Sequence, residues 1–345
     1  MKAHPLRIFF ILLLIYSCSS SPRGKIITVN GEIPARELGK TLEHEHVLVD
    51  FIRPKDDHPE PYGMEDAVKH ILPRLQELKA YGVRSFIECT PVYVGRDVRL
   101  LKRLADETGL HILTNTGFYG AQNNRFVPEY VLNMTPTMIS TFWIAEFEQG
   151  IDGTGIRPGF IKIAVDRKPL SDFHATLVRA AALTHKETGL TIMSHTGPAV
   201  AAFQQLEILE EEGVSPEAFI WGHASDEKEW SNLIRAAKMG AWISLDKYGW
   251  EAEYAESYPK ILKTMKKEGL LNKVLISQDA GWFDPGQPEQ PYKPYTLIFT
   301  ELIPNLKKQG FTDDDINMLL VTNPARAFAV KKRLISKKTV GEIRF

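Results

Sequence analysis

From Thr41 onward the chain alternates short apolar runs with longer stretches in which apolar residues recur every three or four positions. The short runs, residues 41–49, 84–90, 111–117, 159–165, 190–195, 218–223, 241–246 and 273–279, have the length and β-branched content of buried strands. The stretches between them read as amphipathic helices. In residues 64–81, Val68, Ile71, Leu72, Leu75 and Leu78 form one face and Gly82 ends the segment, with Pro73 as a source of a kink. Residues 100–107, 177–188, 201–212, 228–238, 258–268 and 295–309 supply further helix, and 311–328 closes the chain behind the acidic start Thr312-Asp313-Asp314-Asp315. Parallel strands need crossover connections, so eight strands alternating with helices predict a (β/α)8 TIM barrel of the α/β class. Residues 25–39 precede it as a small hairpin with its turn at Asn30-Gly31. No internal repeat or second domain is visible, so residues 25–345 are assigned to a single barrel domain.

The amino terminus changes the picture. Lys2 and Arg7 are basic, residues 8–16 are unbroken apolar, and small polar residues follow, which is the pattern of a secretory signal. The run is too short to span a bilayer as a helix. It ends Ile15-Tyr16-Ser17-Cys18, resembling a bacterial lipoprotein box despite the bulk of Tyr16. Residues 1–17 are therefore read as a lipoprotein signal peptide, Cys18 as the lipidation site and 18–24 as a tether; ordinary secretion and an uncleaved start are the alternatives. The expected location is outside the cytoplasm, membrane-anchored or periplasmic, with membrane contact only through the lipid. Lipidation of Cys18 leaves Cys89, which reads as a small buried residue, and excludes an intramolecular disulfide. Of 345 residues, 43% are hydrophobic and 25% charged, an ordinary globular composition. The formal net charge of -1 gives no excess of basic residues to attract nucleic acid.

The chemistry starts with Lys162, in the middle of the buried-strand pattern Gly-Phe-Ile-Lys-Ile-Ala-Val. A buried ammonium must be paired, neutral or chemically changed. It can snorkel from an edge strand or pair with a buried acid, or as a neutral amine it can add carbon dioxide to give a carbamate able to bridge two cations. Strand one carries Glu43-His44-Glu45-His46, and side chains two apart share a face, so His44 and His46 point one way and Glu45 the other. His195, His223 and Asp279 fall near the carboxyl ends of strands five, six and eight, where barrel active sites are built. Each alone could be a satisfied core histidine or a helix cap. Together, four histidines, one aspartate and one buried lysine can hold two divalent ions of the zinc type.

With these residues the chain resembles the phosphotriesterase family of the amidohydrolase superfamily, including its phosphotriesterase-like lactonases and phosphotriesterase homology proteins. The resemblance spans residues 31–328 and includes Val94-Gly95-Arg96-Asp97, Thr116-Gly117-Phe118-Tyr119, the run from Asp152 to Gly159, Ser194-His195-Thr196-Gly197 and Asn323-Pro324-Ala325-Arg326. It implies that His44, His46 and Asp279 hold the more buried metal, His195 and His223 the more exposed one, and N6-carboxylated Lys162 both, with a hydroxide between the ions as nucleophile. Zinc is expected first, and manganese, cobalt and iron suit the same ligands. Asp279 would take the proton, and Asp226 stands where the family has the partner in that relay, although it fits equally as a cap for a helix starting near Lys228. Tyr119 occupies a position where lactonases carry tyrosine and the organophosphate-degrading prototype tryptophan. Lys247 departs from both groups, which carry histidine or arginine there. Trp250, Trp282 and Phe283 follow strands seven and eight and are expected at the pocket mouth. The resemblance implies a homodimer, with residues 118–143 as a possible interface.

The expected function is thus hydrolysis of lactones or carboxylic esters, with promiscuous phosphotriesterase activity. Phosphoester hydrolysis as the main activity, or a lipid-anchored metal-binding protein that turns nothing over, are the alternatives.

Overall fold

Each apolar run forms a strand in the computed structural model, which describes residues 23–50 and 62–335. The leader, Cys18, the tether up to residue 22 and the last ten residues lie outside the described residues. Strands β1 (Lys25–Thr28) and β2 (Gly31–Pro34) make the hairpin. The barrel strands are β3 (Lys40–Leu48), β4 (Val83–Glu88), β5 (His111–Leu113) with β6 (Asn115–Thr116), β7 (Phe160–Ala164), β8 (Ile192–His195), β9 (Phe219–Gly222), β10 (Trp242–Leu245) and β11 (Val274–Ile276). Neighbouring barrel strands pair in parallel. Closure comes just past β11, where Asp279 N–H donates to the His44 carbonyl at 3.0 Å and His46 N–H to that of Ala280 at 2.9 Å. Beyond the closure, β12 (Gly281–Phe283) pairs with β3.

The barrel interior has two zones because successive inward positions differ in chemistry. Toward the amino-terminal ends, Ile87, Leu113, Phe160, Met193, Ile220, Trp242 and Leu275 form an apolar plug, closed below by Ile26, Leu38 and Phe328. One inward position higher, β7 presents Lys162 and β8 His195, so the polar residues gather at the carboxyl-terminal end. Cys89 is buried in the plug, its Sγ 3.5 Å from Met193 Sδ, and burial pushes its thiol pKa up, as suits an inert core cysteine.

Differences from the sequence reading are local. The hairpin pairs Thr28 with Gly31, so the turn residues are Val29 and Asn30, with Gly31 at φ 108° just after them. Pro73 sits inside the helix Met64–Glu77 without ending it. The last two helical regions contain π turns, at Ile298–Leu302 and Met318–Thr322. A helix at Pro136–Gln149 was not expected, since its apolar residues lie on more than one face: Ile139 and Trp143 are buried while Met138 and Phe142 are exposed.

Several of the motif residues serve the fold. Asp97 caps the helix Val98–Thr108 through the N–H groups of Arg99 and Leu100. Arg96 makes a buried bidentate pair with Glu146 at 2.6 and 3.1 Å and also donates to the Asn115 carbonyl. Asn323 donates to the carbonyls of Leu271 and Val274. At Gly117, φ is 141° and a Cβ would stand 1.7 Å from the Lys162 carbonyl oxygen, so only glycine lets β6 and β7 approach this closely.

Candidate metal centre and active site

A bulge in β3 builds one wall of the site. Leu42 pairs with Phe86 and Glu45 with Glu88, so three steps along β3 oppose two along β4. The extra residue turns both Glu43 and His44 toward the barrel axis: Glu43 Oε1, on a carboxyl that burial pushes well above the usual range, meets the Ser244 hydroxyl at 2.6 Å, and His44 reaches Asp246. His46 follows on the same side. Glu45 instead braces the end of strand eight, accepting from the Ser277 hydroxyl and the N–H groups of Gln278 and Ala280.

The buried carboxylate of Asp246 sets the orientation of two imidazoles. Its Oδ2 accepts from His44 Nδ1 at 2.8 Å, and its Oδ1 from His223 Nδ1 at 2.9 Å, while the His223 N–H and the Ser244 hydroxyl donate to Oδ2. Because an ionised carboxylate only accepts, both histidines carry their proton on Nδ1 and offer an Nε2 lone pair to the cavity. The same logic fixes His46. Thr90 donates its hydroxyl proton to Glu88 at 2.5 Å, so it accepts from His46 Nδ1 at 2.8 Å and leaves His46 Nε2 free. Asp246, Thr90 and Glu88 were not singled out from the sequence; only the position of Asp246 two residues beyond Ser244 on an inward strand face could have flagged it.

These lone pairs converge. His46 Nε2 lies 3.0 Å and His44 Nε2 4.0 Å from Asp279 Oδ1, an oxygen that is buried and receives no well-directed hydrogen bond. His223 Nε2 lies 2.7 Å from His195 Nδ1. Lys162 Nζ is 2.9 Å from His44 Nε2 and 3.5 Å from Met193 Sδ, is buried, and has no carboxylate within salt-bridge distance among the described residues. Both the snorkelling and the acid-paired readings of Lys162 are therefore set aside. Two groups of donors, His44/His46/Asp279 and His44/His223/Asp246, each gather within 4.8 Å. Asp246 already has both oxygens occupied by donors, so its part in the second group is to aim the imidazoles.

The electrostatics match metal ligands. Burial, helped by the Lys162 charge, lowers the His44 pKa to about 3, and burial likewise holds His46 and His195 below the ordinary histidine value. Burial pushes the Asp279 carboxyl up, but the His46 contact and the neighbouring His223 and His44 rings favour its ionised form and hold the group well below the usual range. Neutral imidazoles beside an ionised carboxylate are the state that binds a cation. His223 (φ 56°) and Asp279 (φ 50°) adopt left-handed backbone that ordinary residues avoid, a strain that concentrates at functional positions. Next to them, Gly281 is forced: a Cβ there would stand 1.9 Å from the His46 carbonyl oxygen.

Around this centre the remaining expected residues fall into place as follows. Tyr119 is buried with its ring 5.2 Å from that of His195. Trp282 packs edge-on to His46 at 5.1 Å, and the indole N–H groups of Trp282 and Trp250 donate to the Asp279 carbonyl at 2.9 and 3.0 Å. Asp226 accepts from Lys247 Nζ at 2.9 Å, from Tyr254 OH at 2.6 Å and from Arg167, and this cluster, despite burial, keeps it ionised below the usual carboxylate value. Asp226 does not cap a helix: the next one starts at Trp230 after Glu229, and Glu227 accepts from the Glu229 N–H. A cavity of about 460 Å³ lies beside His195, lined by Tyr119, Asp166, Arg167, Lys168 and Lys247 among others.

A closed parallel barrel with imidazoles, a carboxylate and a buried lysine converging at its carboxyl-terminal end defines a metal-dependent hydrolase of the barrel type. The chain belongs to the phosphotriesterase family, whose model matches residues 24–328. It is 31% identical to the phosphotriesterase homology protein of Mycobacterium tuberculosis strain H37Rv over 314 residues, covering 87% of this chain and 96% of that protein. It is also similar to an aryldialkylphosphatase of Saccharolobus solfataricus, 29% identical over 86% of this chain and 97% of the relative. The N-acetyltaurine hydrolase of Homo sapiens is 25% identical over 90% of this chain and 100% of the relative. Family membership and the clustered donors fit a binuclear metal site.

Proposed function

We propose that the chain hydrolyses lactones or related carboxylic esters at a binuclear site, with weaker activity on phosphotriesters. The observation that carries this reading is Lys162: a buried, inward-facing amine with no acidic partner among the described residues, set among imidazole lone pairs and Asp279. As a carbamate it would join His44, His46 and Asp279 to His195 and His223, completing ligand sets for two ions, with zinc as the first expectation. Two bound cations would supply Lewis acidity toward the bond under attack and acidify water for use as nucleophile.

The chain's own residues do the rest. Asp279 Oδ1, lacking a directed donor, accepts the proton released as water attacks. Asp226, held ionised by Lys247, Arg167 and Tyr254, is a fixed negative charge that anchors the cavity-lining Lys247 and Arg167. Tyr119, beside His195, offers a hydroxyl to the oxygen of a lactone, and Trp282 shields His46 from solvent.

A second reading, an ester or amide that itself carries an acidic group, is favoured by Arg167, Lys168 and Lys247 in the cavity wall, three cations that share two carboxylates, Asp166 and Asp226. The relative named as an N-acetyltaurine hydrolase acts on an amide of that kind. We further propose export as a lipoprotein through Cys18 and a homodimer using the exposed Tyr130, Met138 and Phe142.

The test is metal content of the purified protein together with turnover of a panel of lactones, aryl esters, acyl amino acids or sulfonates, and phosphate di- and triesters. Two metals per chain with lactones preferred supports the leading reading, and preference for acidic amides the second. Preference for phosphoesters moves the main activity to phosphorus, and two metals with no turnover rejects the substrate class. Protein that cannot be loaded with metal rejects the mechanism.

A further inference from the structure

A separate pocket of about 590 Å³ opens at the opposite end of the barrel. Trp242, the first residue of β10, and Lys273, immediately before β11, line it together with Arg23, Gly24 and residues after the last helix. The metal centre lies at the other ends of these parallel strands, so the strands themselves separate the two sites.

The charge in this pocket is lopsided. Arg23, Lys273, Arg326, Lys331 and Arg333 line it against a single carboxylate, Glu217. None of the five cations has a carboxylate within salt-bridge distance among the described residues, whereas elsewhere on the surface Arg103, Arg179, Lys186 and Lys266 do. Arg333 serves the fold, since it donates to the carbonyls of Arg326, Ala327 and Ala329 at 2.8, 3.2 and 3.0 Å and so ties down the chain after the last helix. Lys273 uses one donor on the Gly240 carbonyl and sits 4.9 Å over the Trp242 ring. The charged ends of Arg23, Arg326 and Lys331 are left to solvent.

Such an arrangement repels itself. The Lys273 ammonium is held below its ordinary pKa by burial, and although Glu217 works the other way, Arg333 and Arg326 add to the depression. A concave wall of like charges focuses the field into the cavity, and a bound anion would relieve the repulsion. Guanidinium and ammonium donors from several directions suit a tetrahedral oxyanion carrying more than one charge better than a lone carboxylate.

We propose that this pocket binds a phosphate group, carried either by a soluble phosphoester or by an anionic phospholipid. The lipid source has its own support: Arg23 and Gly24, at the end of the segment read as a tether, form part of the rim, so an anchored chain would hold the pocket against the bilayer surface.

The test compares the full chain with the double variant Arg326→Gln/Lys331→Gln. Both side chains are exposed, so the variant keeps its fold, metal content and hydrolytic rate. Titration calorimetry with inorganic phosphate is expected to show saturable binding that the variant weakens by about tenfold or more. Phosphate held at the metal centre would not respond to these substitutions. Sedimentation with phosphatidylcholine vesicles, with and without phosphatidylglycerol, then separates the sources, since a lipid tail would favour neither. A preference for anionic vesicles that the variant loses assigns the phospholipid headgroup, and variant-sensitive phosphate binding with no vesicle preference assigns a soluble phosphoester. The proposal is overturned if neither phosphate binding nor vesicle preference differs between the chain and its variant.

Discussion

His44 donates its Nδ1 proton to Asp246 across 2.8 Å, and the same carboxylate takes the Nδ1 proton of His223 at 2.9 Å. One buried acid thus aims a histidine from the first barrel strand and a histidine from the sixth at the same cavity. Replacing Asp246 by Asn keeps the shape but offers an amide whose NH2 can only donate, so at least one imidazole loses its acceptor and its tautomer. The expected outcome for Asp246→Asn is metal affinity lower by about 10–100-fold, read by competition with a chelator, in a protein that still folds. Affinity unchanged at both sites would refute the orienting role.

Lys162→Ala is expected to lose metal and hydrolysis together. Short carboxylic acids such as acetate or propionate should restore part of both, because they place a bidentate carboxylate where the carbamate stood. Loss without rescue would point to collapse of the site, and retention of two metals would remove the bridging role.

Asp279→Asn separates an enzyme from a binding protein. It keeps the size of the side chain and removes the charge that accepts the proton, so turnover should fall by about 10²–10⁴-fold even at saturating metal. Unchanged turnover with metal bound would sink the proton-transfer role and favour a non-catalytic protein.

The metal-free protein should lose stability as pH falls. Folding lowers His44 from 6.5 to about 3, and lowers His46 and His195 in the same direction, so between these values the unfolded chain binds more protons than the native one. Stability from these groups is complete above pH 6.5 and is lost as pH drops, by about 1.4 kcal/mol per pH unit from His44 down toward its folded value of about 3, with His46 and His195 adding in the same direction. Denaturant midpoints measured from pH 7 to pH 4 check the sign; stability that rises on acidification over this range would contradict it.

Gly117→Ala tests the contact that positions the lysine strand. The added Cβ would stand 1.7 Å from the Lys162 carbonyl, at a φ of 141°, so the strands must separate. A loss of about 3 kcal/mol or more is expected from chemical denaturation, with metal binding impaired in the folded fraction. A loss under about 1 kcal/mol would mean that β6 and β7 yield more readily than their packing indicates.

Much of this was legible in the sequence for a physical reason. Strands buried on both faces must be nearly continuous apolar runs, so a lysine at 162 and histidines at 195 and 223 stand out against Ile, Phe and Trp neighbours. The spacing of His44 and His46 gave their common face. The helix Pro136–Gln149 escaped because Met138 and Phe142 remain exposed while Ile139 and Trp143 are buried, which blurs its period. The roles of Asp226 and Lys247 could not be separated by reading along the chain, since they are partners 21 residues apart.

The sequence by itself determined the eight-strand alternation, the hairpin before it and the set of side chains able to ligate metal, because burial periodicity and residue chemistry are local properties. Only the tertiary structure decided which way those ligands face. The bulge that turns Glu43 and His44 inward exists only in the pairing of β3 with β4, and the tautomers of His44, His46 and His223 depend on Asp246 and Thr90, acceptors that distant strands supply. Hydrogen-bond direction is a property of a pair of groups in space, and a single chain of letters carries only one member of each pair at a time.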